Sequence, residues 1–265
     1  MPIRELASVD GEIAPTREST LSLPDDALYR GDGVFEVIRL YDGTPFALAE
    51  HLDRIERSAA AIELPVDRQL LKREVDALLA EHGPGDGQVR IVLTRAGRRV
   101  VLVEELPPRG ATVRLATVTY SPSVILDGVK SISYAANMQA TRIAVGCGGD
   151  EALLVRPDGT VLEAPTSAIF WVSDAGALRT PSLEAGILDS ITRAQIVREL
   201  DVEEGQFDVA DLNGAREAFL ASTTREIQPV ARIDDRELEA PGERTREAQA
   251  AFEAVLKGAL AERAQ

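Results

Sequence analysis

Val129-Lys130-Ser131-Ile132-Ser133-Tyr134-Ala135-Ala136-Asn137-Met138 contains one of only three lysines in a chain of 265 residues that carries 26 arginines. So biased a composition uses arginine wherever a bare positive charge is wanted. Lys72 and Lys257 lie among charged residues that read as helix surface, whereas Lys130 follows the loop Leu126-Asp127-Gly128 and precedes a mostly apolar run. One task excludes arginine. Only a primary amine forms a Schiff base, and desolvation of a lysine makes it nucleophilic. A single lysine after a loop is more often a solvated charge, so the rest of the sequence has to decide.

Outward from this stretch, the chain divides. Tyr120 to Gly128, with Pro122 and Asp127-Gly128, reads as the crossing between residues 1–119 and residues 129–265. The first 45 residues alternate in short segments broken by Asp10-Gly11, Gly31-Asp32-Gly33 and Asp42-Gly43, a pattern of paired strands and turns. Leu52, Ile55, Ala59 and Ile62 are spaced as one helix face over 50–62, and a second helix is expected over 67–81. Strands are expected at 88–94, 99–104 and 112–119. The second part opens with a helix over 135–145, followed by strands at 152–156, 160–162 and 168–172. A helix over 190–200, strands at 218–221 and 227–233, and a closing amphipathic helix over 244–263 complete it. Strands and helices in two successive clusters predict an α+β protein of two domains, joined by an interdomain loop at 120–128.

Composition narrows the class. Hydrophobic content of 45% and charged content of 28% are ordinary for a soluble enzyme. No apolar run reaches the roughly 20 residues that span a bilayer, and Met1-Pro2-Ile3-Arg4-Glu5 begins no secretory leader. The single cysteine, Cys147, points to a reducing cytoplasm, and with only two histidines a metal site has little material. A net charge of -15 argues against nucleic acid and anionic membrane as partners.

The remaining candidates each have an ordinary explanation when taken singly. Glu163 could be a solvated turn acid, and Arg54 a surface partner for Glu50. Leu188-Asp189-Ser190-Ile191-Thr192-Arg193 has the residues of a helix cap, but the same helix start would seat a phosphate on free N–H groups. Ser222-Thr223-Thr224 ends an expected strand in three hydroxyls, which suits a turn or a phosphate.

Together these segments resemble the class IV aminotransferases, the fold-type IV enzymes that use pyridoxal 5′-phosphate. Gly31-Asp32-Gly33-Val34-Phe35-Glu36-Val37-Ile38-Arg39 is similar to their G-x-G-V-F-E-x-I-R motif, and Glu50-His51-Leu52-Asp53-Arg54-Ile55 to E-H-L-x-R-L. Lys130-Ser131 with Asn137 resembles the segment of the Schiff-base lysine. Asp150-Glu151-Ala152-Leu153-Leu154, Gly159, Glu163 and Ile169-Phe170 follow in register. So do Arg179-Thr180-Pro181, Gly186-Ile187-Leu188, Ile191-Thr192-Arg193, Thr223 and Glu226-Ile227-Gln228-Pro229-Val230. No single motif is specific, but the series in register is.

The resemblance implies a small N-terminal α/β domain and a larger C-terminal domain of mixed, β-barrel-like sheet with helices, assembled as a homodimer. It makes Lys130 the Schiff-base residue and the acid–base group of the proton transfer. Glu163 would pair with the ring nitrogen, and Tyr134 would hydrogen-bond the ring oxygen. Arg54, Leu188, Ile191, Thr192 and Thr223 would hold the cofactor, largely through its phosphate. Substrates would be an amino acid and a 2-oxo acid. Two departures bear on which ones. Gln88-Val89-Arg90 lacks the tyrosine of a Tyr-x-Arg pair common in L-branched-chain enzymes, and Thr94 to Val100 has arginines but not the histidine of D-amino-acid enzymes. Thr166-Ser167 also lacks an asparagine usual in the family. Arg30, Phe35, Arg90, Arg179 and Thr224 are the expected substrate contacts, with Arg30, Arg90 and Arg179 converging as carboxylate clamps and Arg30 acting from the neighbouring subunit. The arginine supply favours D-amino acids. An L-branched-chain aminotransferase and an aminodeoxychorismate lyase are the alternatives, while a binding protein that had lost catalysis would not need both Lys130 and Glu163.

Overall fold

A computed structural model describes residues 4–263, which fall into two compact units. The first extends through Pro107, takes back Val129–Tyr134 and includes the chain from Ala259; the second comprises Pro108–Gly128 and Ala135–Gly258.

In the first unit the chain forms β1 (Leu6–Val9), β2 (Glu12–Pro15), α1 (Asp26–Arg30), β3 (Gly33–Tyr41), β4 (Thr44–Pro45), α2 (Leu48–Ala61), α3 (Arg68–His82), β5 (Gly87–Thr94) and β6 (Arg99–Glu104). The six strands make one antiparallel sheet in the order β2-β1-β6-β5-β3-β4. Burial alternates along β3: Val34, Glu36, Ile38 and Leu40 are buried, whereas Phe35, Val37, Arg39 and Tyr41 are only half-buried. That period of two is what a half-covered sheet requires. Leu48, Leu52, Ile55 and Ala59 of α2 and Leu71, Val75 and Leu78 of α3 close the buried side into one core with Val89, Ile91, Val101 and Val103. Both helices therefore serve one face and leave the other open. Asp25 caps α1 by accepting from the Ala27 N–H at 3.0 Å, and Gly31 ends that helix in the left-handed region at φ 71°. The Gly31-Asp32-Gly33 turn expected between strands is thus a helix end followed by a strand start.

The second unit contains β7 (Val113–Thr119), α4 (Ala135–Gly146), β8 (Glu151–Val155), β9 (Ala168–Val172), β10 (Leu178–Pro181), α5 (Ile191–Glu199), β11 (Glu203–Gly205), β12 (Glu217–Ser222), β13 (Glu226–Ile233), β14 (Arg236–Glu237) and α6 (Glu243–Arg263). Seven strands run in the order β11-β10-β9-β12-β13-β7-β8, with β14 beside β13. The sheet is mixed, with the pairs β10/β11, β13/β7 and β7/β8 parallel. Every residue of β8, β9 and β12 is buried, as continuous apolar runs require when a sheet is covered on both faces. Ile169, Trp171 and Leu220 enter one cluster, while Phe170 and Phe219 stack at 4.9 Å. No described helix is long and apolar enough to cross a membrane.

The α+β class is the one expected, but the division of the chain differs. β7 pairs with β13 and β8 of the second sheet, so the first crossing comes at Pro107–Pro108, before β7. Lys130 also lies in the first unit, not the second. The expected strand at 160–162 reduces to isolated bridges, because Val161 faces Val155 while Thr160 faces Asp208 and no common partner strand forms a ladder. β10, β11 and α1 were not foreseen.

Candidate active site

The expected site residues fall into two groups, one within each unit. In the first unit the Lys130 segment adds to the edge of β3. The Phe35 N–H donates to the Lys130 carbonyl at 3.0 Å, and the Ile132 N–H to the Gly33 carbonyl at 3.0 Å. Val34 and Ser131 form an antiparallel bridge, and the Lys130 N–H donates to Ser58 Oγ at 3.1 Å. The backbone on both sides of the amine is therefore pinned. Room for this comes from the motif glycines. A Cβ on Gly33 would lie 2.4 Å from the Leu93 carbonyl oxygen and 3.0 Å from Ile132, and one on Gly31 would lie 2.7 Å from Ser133 Oγ. The Lys130 ammonium sits over the Phe35 ring, 4.5 Å from its centroid. Tyr134 meets the same ring edge-on at 5.4 Å, and the Arg90 guanidinium lies 6.0 Å from it. Phe35 thus gathers three of the expected residues on the open face of the sheet.

On the covered face, α2 presents His51, Arg54 and Ser58, each buried and spaced three and four residues apart. Arg54 forks onto Glu36, Nε to Oε1 at 2.6 Å and one Nη to Oε2 at 2.8 Å. His51 Nδ1 lies 2.7 Å from the same Oε2. Burial alone would raise the Glu36 pKa, but the Arg54 charge and hydrogen bonds, with His51, outweigh it and hold the carboxyl well below its usual range. Burial pulls the His51 pKa down despite Glu36, so the imidazole is neutral and its Nδ1–H donates to the carboxylate. Glu36, His51 and Ser58 had no assigned role in the sequence reading. Their signal was a glutamate at an inward position of an alternating strand, opposite a polar stripe on a helix.

In the second unit Glu163 accepts from the Leu188 N–H at 3.0 Å. Its own carbonyl accepts from the Leu154 N–H at 2.9 Å. Burial, and then the Glu163 charge, push the Tyr120 phenol up; that phenol reaches Asn137 Oδ1 at 3.5 Å, and the Asn137 amide donates to the Pro165 carbonyl at 3.3 Å. Leu188 therefore acts on Glu163 through its backbone. Ser190 caps α5 by accepting from Arg193 N–H at 3.3 Å, with Ile191 and Thr192 buried in the first turn. α5 packs on β12, whose far end carries Thr223 and Thr224. Arg109 holds that turn by donating to the Thr224 and Arg225 carbonyls, and Arg225 is paired with buried Glu151.

The three arginines expected to converge differ in their partners. Arg30 is exposed and paired with Asp26 one turn earlier in α1. Arg90 is half-buried and bound to Glu104 at 2.8 Å. Arg179 of β10 pairs with Glu203 at 2.8 Å, lies 3.8 Å from Asp211 and covers the Phe207 ring at 5.2 Å. Two acids and an aromatic face make it a brace of β10 against β11. Chemically, the first unit supplies a primary amine on a pinned backbone, and the second a carboxylate held by a backbone N–H, a capped helix start and a hydroxyl-rich turn. That donor set fits a group with an aldehyde, a ring nitrogen and a phosphate.

Comparison with known proteins agrees. The sequence model described as amino-transferase class IV matches residues 33–233. A D-alanine aminotransferase of Listeria innocua is 31% identical over 252 residues, 85% of this chain and 86% of that protein. An aminodeoxychorismate lyase of Bacillus subtilis is 30% identical over 253 residues, 86% of each. A branched-chain aminotransferase of Thermoproteus uzoniensis, solved with norvaline, superposes with a TM-score of 0.85 at 28% identity, covering 96% of this chain and 95% of that one. The chain belongs to the class IV aminotransferases, which use pyridoxal 5′-phosphate.

Proposed function

We propose that this enzyme transfers the amino group of a D-amino acid to a 2-oxo acid. The supporting observation is the Phe35 ring, which brings the Arg90 guanidinium and the Lys130 ammonium to one surface: a cation for a carboxylate beside the reacting amine. When bound, pyridoxal phosphate supplies the aldehyde that takes up the amine and a ring that accepts electrons. Lys130 would move the proton between the substrate Cα and the cofactor C4′, and its pinned backbone limits the amine to side-chain motion. Glu163 keeps a proton on the ring nitrogen. Arg54, the first turn of α5 and Thr223 hold the phosphate, and Tyr134 the ring oxygen. Arg30 contributes from the second copy of a homodimer, a reading supported by Leu21, Leu23, Leu28 and Tyr29, which stand exposed around α1. The lone Cys147 suits a cytoplasmic setting.

The test is a half-reaction panel on the holoenzyme, following the cofactor absorbance with D-alanine, D-glutamate, L-leucine and L-glutamate. Conversion by the D-acids alone is expected. Conversion by the L-acids alone would replace this reading with a branched-chain enzyme, and conversion by none with a lyase, as the Bacillus relative suggests.

A further inference from the structure

Within the second unit, two turns far apart in sequence meet on one buried carboxylate, Glu151, at the first position of β8. Its side chain is 4% exposed. The Thr166 hydroxyl donates to Oε1 at 3.1 Å, and Arg225 pairs with Oε2. Thr166 lies in a tight turn that starts directly after Glu163 and is closed by the Ala164 N–H on the Ser167 carbonyl at 2.9 Å. Asn137 grips the same turn through the Pro165 carbonyl. Arg225 belongs to the loop Thr223-Thr224-Arg225 between β12 and β13, which pair as far as Ser222 and Glu226. Glu226 has φ 57°, a left-handed position that a hairpin of this length usually gives to glycine. The loop is therefore kept in shape from outside. Arg225 donates to Gln228 Oε1 at 2.9 Å as well as meeting Glu151, and Arg109 donates to the Thr224 carbonyl at 3.4 Å.

We infer that Glu151 is a positioning residue that ties the turn behind Glu163 to the Thr223 turn, and so sets the separation of the ring-nitrogen and phosphate ends of the cofactor seat. The inference rests on the reading of Glu163 and the Thr223 turn as those two ends. Stability alone does not account for the carboxylate. Burial pushes the Glu151 pKa up although Arg225 and Thr166 favour the charged form, and apolar residues of similar volume often serve a fold as well as a buried ion pair. What an apolar side chain lacks is a pair of acceptor oxygens at fixed separation, and here each is taken by a different turn. Glu163 is itself anchored to the Leu188 N–H at 3.0 Å, just ahead of α5. The contacts thus run from the Thr223 turn through Glu151 and Glu163 to the helix start.

The test compares pyridoxal 5′-phosphate with pyridoxal, which lacks the phosphate, each titrated into the full chain stripped of cofactor and followed by absorbance. Glu151→Gln keeps one oxygen for Thr166 and removes the charge that holds Arg225. Its Kd for pyridoxal 5′-phosphate should rise about tenfold and that for pyridoxal less than about threefold, the scale of one charged hydrogen bond lost at the phosphate end. Arg225→Lys keeps the positive charge but cannot bridge Glu151 and Gln228 together, so it should show the same selective loss at about threefold. It is the deciding variant if Glu151→Gln does not fold. Unchanged affinities, or equal losses for both ligands as a general loosening would give, overturn the inference. So does tighter binding of pyridoxal 5′-phosphate in Glu151→Gln, which would make Arg225 a phosphate ligand that Glu151 competes for. Thr223→Val separates this inference from the reading beneath it. Selective loss in Thr223→Val but not in Glu151→Gln sinks this inference alone, and selective loss in neither sinks both. Selective loss in Glu151→Gln alone keeps the inference and moves the phosphate contact from the Thr223 hydroxyl to the backbone of its turn.

Discussion

Glu36 is a carboxylate placed on the inward side of a strand whose other inward residues are valine, isoleucine and leucine. Its position is tolerable only because Arg54 takes both oxygens and His51 one of them, since an unpaired buried charge is costly. Glu36→Gln leaves Arg54 without its counter-charge and should destabilise the protein by about 3 kcal/mol at neutral pH, measured by urea unfolding. The sign with pH follows from the directions of the shifts. Both folded-state pKa values lie below the ordinary 4.5 of Glu36 and 6.5 of His51. Each group therefore stabilises the fold above its ordinary value and loses that contribution as the pH falls below it. The urea midpoint should decline first below about pH 6.5 and more steeply below about pH 4.5. In Glu36→Gln the second decline should become shallower, the remainder coming from Asp10, Asp25, Asp150 and Asp158, whose carboxyls are also held below their usual range; an unchanged slope would show that the pair does not govern acid stability.

At the scale of elements, β3 works as a shelf with a different duty on each edge and face. One edge pairs with β5 along its length, the other takes the Lys130 segment, one face meets α2 and the other bears Phe35. Gly33 sits where these meet. Gly33→Ala should cost about 2 kcal/mol, because its Cβ meets a backbone carbonyl that cannot rotate away. The same variant should hold its cofactor more weakly in dialysis, whereas full retention would show that the Lys130 segment tolerates the displacement. Much of this was legible beforehand. The spacing of Leu52, Ile55 and Ala59 marked α2 to within two residues of its observed start at Leu48 and end at Ala61, and the motif series announced the family to which the chain belongs. The addition of 129–134 to β3 was not legible. Six residues joined by a few backbone hydrogen bonds carry no periodicity, and their partners lie about a hundred positions away. Nor could the partners of the arginines be read, since a sequence with many of both charges leaves the pairing to the fold. Arg179, expected as a substrate contact, is paired with Glu203 and Asp211, which no spacing in the sequence announces.

For the molecule as a whole, the net charge of -15 keeps copies apart by mutual repulsion, so any assembly has to rest on apolar contact. The exposed leucines and tyrosine around α1 are the candidates. On the proposed homodimer with Arg30 reaching the second copy, Leu28→Asp should shift the protein from dimer to monomer in light scattering and lower activity. A variant that stays dimeric would place the interface elsewhere. The path of the chain has a further consequence. It passes between the units at Pro107–Pro108, Gly128–Val129, Tyr134–Ala135 and Gly258–Ala259, so neither unit corresponds to one uninterrupted length of gene. A recombination point at the first crossing would deliver a sheet without the segment that hydrogen-bonds to Gly33 and Phe35, and without the lysine. The two units can be duplicated, traded or lost only together, and the short segment that carries Lys130 is part of what makes them a single heritable piece.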